Sequence, residues 1–84
     1  ELDPSDADAY YNRGIAKRKL QDYRGAIQDY SKAIELDPSK SEAYGNRGLA
    51  KYFLNDIDGA CLDWSKAGEL GYYDAYDNIK EYCN

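Results

Sequence analysis

The sequence predicts an all-α domain built as a stack of helical hairpins. Three observations lead there. The chain repeats itself at an offset of 34 residues: Ala9-Tyr10-Tyr11-Asn12-Arg13-Gly14 returns as Ala43-Tyr44-Gly45-Asn46-Arg47-Gly48. Residues 7–40 and 41–74 share 17 identities in 34 aligned positions. Apolar residues recur at helical spacing, and turn-forming residues fall between the periodic stretches. A fixed period of this length is the mark of stacked repeats, where each unit buries its apolar face against its neighbour.

The elements follow in order. Tyr10, Gly14 and the stretch Lys17–Leu20 keep a helical period, which predicts a helix over 7–20. Asp22 reads as an N-cap, and Ala26, Ile27, Tyr30, Ala33 and Ile34 form the stripe of a second helix, 23–36. Asp37-Pro38 ends it, because proline disfavours helix in the residue before it. Ser39-Lys40-Ser41-Glu42 reads as a capping box, with Ser39 as N-cap of a helix over 41–54. Asp56 caps a fourth helix, 57–69, which Gly71 terminates. Tyr72, Tyr76, Ile79 and Cys83 then share one face of a last amphipathic helix within 72–84, a single helix with no partner after it.

Gly14 and Gly48 lie inside helices, at a cost of about 1 kcal/mol each against alanine. The cost predicts close approach of a second helix, with Ala26, Ala33, Ala60 and Ala67 on the facing side. Arg13 and Arg47 recur 34 residues apart, as do Asp29 and Asp63, which predicts an ion pair across each hairpin, with independent solvent-exposed charges as the alternative.

Composition narrows the function. The 84 residues make one small domain with a formal charge of −5. An acidic chain without a basic run offers no electrostatic footprint for nucleic acid or an anionic membrane. No apolar run approaches the roughly 20 residues of a membrane span. Histidine is absent, so neither Cys61 nor Cys83 has a Cys–His base. Two cysteines make no disulfide framework; they read as partly buried free thiols in a reducing, cytoplasmic setting, with a bridge as the alternative. Asn55–Gly59 alternates acidic groups, but the spacing of a calcium loop fails at Leu54 and Ser65. The sequence therefore predicts no catalytic residue, no metal and no cofactor.

The pattern of Tyr10/Tyr44, Gly14/Gly48, Ala26/Ala60, Tyr30/Trp64, Ala33/Ala67 and Pro38 resembles the tetratricopeptide repeat (TPR) family, over essentially the whole chain. The resemblance implies a right-handed superhelical stack: repeat 1 over 7–40, repeat 2 over 41–71 and a capping helix over 72–84. Glu1–Ser5 copies Glu35–Ser39 and reads as the end of a preceding repeat. The family usually has leucine where Arg13 and Arg47 stand.

The resemblance also implies a ligand surface on the first helix of each pair. Carried over, its residues are Tyr11, Asn12, Ile15, Arg18 and Lys19 in repeat 1, and Asn46, Leu49, Tyr52 and Phe53 in repeat 2. The implied partner is a protein or peptide. The two-carboxylate clamp by which some members grip chaperone tails is not reproduced: only Asn46 fits it, and Tyr11, Ile15, Asp74 and Asn78 do not. The alternative is a structural module that extends or caps an array, or self-associates through the uncapped face of the first helix.

Overall fold

The structure is a computed structural model and describes residues 2–83. Five helices follow one another: α1 (Ala7–Lys19), α2 (Tyr23–Leu36), α3 (Ser41–Phe53), α4 (Ile57–Glu69) and α5 (Ala75–Tyr82). Each packs on the next, and α1 also touches α3. The all-α stack of hairpins is therefore as the sequence predicts. Glu1 and Asn84, ends of the expected first and last segments, lie outside the described residues.

Local chemistry explains the boundaries. Gly25 N donates to Asp22 Oδ1 at 3.0 Å, and Gly59 N to Asp56 Oδ1 at 2.9 Å, so both predicted N-caps hold. Asp6 caps α1 in the same way through Ala9 N. α1 and α3 each stop one residue early, at Leu20 and Leu54, because the next residues turn left-handed: Gln21 has φ 64° and Asn55 φ 66°. Gly71, at φ 109°, follows α4 as expected.

The capping box at Ser39 does not form. Lys40 is the N-cap of α3 and makes no side-chain cap bond. Asp37 Oδ1 instead accepts from both Ser39 N (3.2 Å) and Ser39 Oγ (2.8 Å), which draws the hydroxyl into the turn behind it. The last helix is also shorter than expected. Tyr72 and Tyr73 belong to the turn, and the helix begins at Ala75.

The Cα envelope measures 41 × 25 × 16 Å, so the core is only about one side chain deep. Its fully buried members are accordingly alanines (Ala26, Ala33, Ala43, Ala50, Ala60, Ala67 and Ala75) around two large rings, Tyr30 and Trp64. Those rings explain the helical glycines. A Cβ on Gly14 would stand 2.7 Å from the Tyr30 ring, and one on Gly48 would stand 2.8 Å from the Trp64 ring. The expectation of alanine against glycine is thus replaced by ring against glycine; only at Gly48 does the Ala60 backbone also come close, with its carbonyl at 3.1 Å.

Both predicted Arg–Asp pairs form. Arg13 Nε and Nη2 each donate to Asp29 at 2.8 Å, and Arg47 Nε and Nη2 donate to Asp63 at the same distance. Lys17 and Lys51 add second cations at 3.1 Å. Asp29 and Asp63 are buried, so these bidentate contacts compensate carboxylates that would be costly alone. The Arg13 hydrogen bond holds Asp29 below the ordinary carboxylate value, against burial, which pushes it up.

The cysteines are not free. Cys61 and Cys83 form a disulfide with a Cα–Cα distance of 5.9 Å. Folding of α5 back along α4 brings together residues 22 apart in sequence, a placement that composition alone could not supply. The inference of a reducing compartment loses its basis with this bond.

Candidate functional site

The nine candidate residues lie on α1 and α3, and the structure divides them into two groups. The first centres on Tyr11. Asn46 Nδ2 reaches across from α3 and donates to Tyr11 Oη at 3.1 Å and to the Glu42 carbonyl at 3.0 Å. The Lys40 ammonium lies 4.9 Å from the centre of the Tyr11 ring and pairs with Asp8 at 2.6 Å. Burial, and then the Glu42 charge, push the Tyr11 phenol above its ordinary value, so it remains a neutral donor and acceptor. Among the described residues no side-chain hydrogen bond reaches the Asn46 carboxamide oxygen.

The second group is aromatic. Tyr52 packs against Trp64 (6.1 Å between ring centres), Phe53 (5.7 Å) and Tyr82 of α5 (4.6 Å). Phe53 is stacked on Tyr23, at the start of α2, at 5.0 Å. Tyr52 is therefore half-buried and helps join α3, α4 and α5. Phe53 remains 54% exposed, an apolar ring held in place on one side and open to solvent on the other.

The remaining candidates fall beside these groups. Ile15 and Leu49 are half-buried, while Asn12 and Lys19 are exposed. Arg18 is half-buried, and among the described residues its Nε lacks a hydrogen-bond partner, as does the buried Tyr30 hydroxyl. Burial pushes the Tyr30 phenol up, and the nearby Arg18 guanidinium opposes it by its proximity and charge, without a hydrogen bond of good geometry.

Four neighbours were not among the sequence candidates. Lys40 approaches from the turn before α3, Tyr23 from α2, Tyr72 from the last turn and Tyr82 from α5. Tyr72 had a legible signal. A Cβ on Gly45 would stand 2.5 Å from its ring, and Gly45 occupies the place that Tyr11 fills in the first repeat. A missing ring in one repeat is thus matched by a ring arriving from elsewhere. Lys40 and Tyr82 gave no such signal, because each reaches the site from a segment outside the repeated helix.

Among the described residues no cluster of His, Cys, Asp or Glu could hold a metal ion. No helix among the described residues is long and apolar enough to cross a membrane. What the surface offers is hydrogen bonding at Asn12 and Asn46, positive charge at Lys19, and apolar area at Phe53. Residues 7–40 match the family model described as tetratricopeptide repeat. No curated protein gives a significant match to the chain.

Proposed function

Since the chain belongs to the tetratricopeptide repeat family, a family of protein–protein interaction modules, we propose that it binds a peptide segment of a partner protein along the α1/α3 face, without catalysis. Phe53 carries the reading. An aromatic ring stacked from behind by Tyr23, flanked by Tyr52 and still 54% exposed, is a preformed anchor point. Rigid rings lose little entropy when they take up a ligand. Asn46, held by Tyr11 and the Glu42 carbonyl, keeps its oxygen for a peptide N–H. Lys19 supplies charge at the C-terminal end of α1.

Catalysis has no support from the side chains. The chain has no histidine, and its two cysteines are joined to each other.

The test is a peptide-array screen of the purified protein, followed by titration of the best peptide. Phe53→Ala is expected to weaken that peptide at least about 10-fold, and Asn46→Asp to weaken it less. Circular dichroism should show both variants folded. Unchanged affinity in folded Phe53→Ala would move the ligand surface away from α1 and α3.

A further inference from the structure

We propose that the Cys61–Cys83 disulfide is a reversible clasp on α5, which a dithiol reductant opens, uncovering the aromatic surface of Tyr52 and Trp64. This inference stands apart from whether the α1/α3 face takes a peptide.

Helix α5 is weakly secured apart from this bond. It has 8 residues, below the roughly 12–15 at which an isolated helix becomes even marginally stable. It has no side-chain N-cap bond. None of the ion pairs among the described residues involves it. Its inward face buries Ala75 completely, while Ile79 and Cys83 are only half-buried. Tyr76 and Tyr82 remain 48% and 38% exposed.

The disulfide acts at the C-terminal end of this helix. Cys83 is its C-cap, and its amide donates to the Ile79 carbonyl at 2.9 Å. The bond closes a loop spanning 22 residues, which favours the docked over the released state on the order of 100-fold. The rest of the fold does not need it. Ile27 stands in repeat 1 where Cys61 stands in repeat 2, and α2 packs against α3 without any bridge.

The sulfurs are approachable. Both cysteines are only half-buried, and they border an open groove of about 500 Å³ together with Ile57, Leu62, Ser65 and Tyr82. A thiolate of the external dithiol attacks one sulfur and displaces the other as a thiolate. The second thiol of the reductant then resolves the mixed disulfide. Two electrons and two protons pass to the protein, giving Cys61 and Cys83 thiols, and the reductant leaves as its own disulfide.

Release has a defined consequence. The Tyr82 ring lies 4.6 Å from Tyr52 and 6.0 Å from Trp64, centre to centre. Lifting the end of α5 removes that cover and leaves α3 and α4 in place. Trp64, the single tryptophan and 1% exposed when α5 is docked, reports the change.

The experiment compares oxidised protein, protein treated with dithiothreitol, and Cys83→Ser without reductant, by hydrogen exchange and tryptophan fluorescence. Amides of residues 79–83 are expected to exchange on the order of 100-fold faster in the reduced and Cys83→Ser forms. Amides of α1, α2 and α3 should keep their protection. Trp64 emission should move to longer wavelength, and reoxidation should reverse all changes in the native chain. Unchanged protection of α5 after reduction would overturn the clasp. So would loss of protection through all five helices together, or a disulfide that resists reduction in the folded protein.

Discussion

Arg13 and Arg47 occupy the same place in consecutive repeats and fork onto Asp29 and Asp63 with the same 2.8 Å hydrogen bonds. The first arginine side chain is 46% exposed, the second 19%. The difference lies in the neighbours. Arg47 sits between two hairpins, and its Nη1 also donates to Ser31 Oγ of α2 at 3.1 Å. Arg13 makes no such bond among the described residues. One motif, written twice, thus gives a solvated pair at one level of the stack and an enclosed pair at the next.

The large rings of the two repeats differ in the same direction. Trp64 is buried and donates from Nε1 to the Gly45 carbonyl at 3.2 Å. Tyr30 is equally buried, but its hydroxyl has no hydrogen-bond partner among the described residues. Repeat 2 therefore satisfies its core polar group where repeat 1 does not. The comparison teaches that packing against the preceding hairpin encloses the second ion pair, while the Trp64 bond to Gly45 lies within its own hairpin.

The largest test of that difference is truncation of the rings. Trp64→Ala should cost about 4 kcal/mol, because it leaves a cavity beside Gly48 and removes the hydrogen bond from Trp64 to the Gly45 carbonyl. Tyr30→Ala should cost less, about 3 kcal/mol, since no hydrogen bond is lost. Urea unfolding of both variants measures the gap, and equal losses would remove the asymmetry. Next comes the ion pair. Asp63→Ala strands Arg47 between two helices and should cost about 3 kcal/mol. Asp29→Ala should cost clearly less, because solvent reaches Arg13. The ranking fails if Asp29→Ala proves the more damaging.

A smaller effect concerns the exchanged ring. Gly45→Ala drives a methyl into the Tyr72 ring and should cost about 1–2 kcal/mol. Most of that penalty should vanish in a Tyr72→Ala background, a coupling that a double-mutant cycle reads directly. Additive losses would mean that the ring moves aside freely. The smallest effect is Tyr30→Phe. Deleting a buried hydroxyl without a partner should leave the melting temperature unchanged or slightly raised, within about 1 kcal/mol. A clear loss would reveal a bond to the Tyr30 hydroxyl that repeat 1 had been lacking in the comparison.

Much of the scaffold was legible because it depends on local chemistry. Asp22 and Asp56 cap helices wherever a helix begins after them, and the glycines at 14 and 48 signal a close approach without saying to what. The Ser39 cap failed for an equally local reason: the Ser39 hydroxyl donates to Asp37, which holds it in the turn behind the helix instead of over the first amides of α3. The candidate site was legible only in part. Helical spacing puts Tyr11 and Ile15, or Leu49 and Tyr52, on one face, yet it does not distinguish an open ring from a packed one. Phe53 remained open, while Tyr52 was enclosed by Trp64 and Tyr82.

By itself, then, the sequence determined the periodic stack, the helix starts at the aspartates and the pairing of Arg with Asp. Each follows from spacing along one chain or from a motif repeated in register. The tertiary structure alone decided which ring fills the gap above Gly45, how deeply each Arg–Asp pair is enclosed, and that Cys61 meets Cys83. Those outcomes depend on which segments return to the same place after the chain has turned, and no local preference records that return.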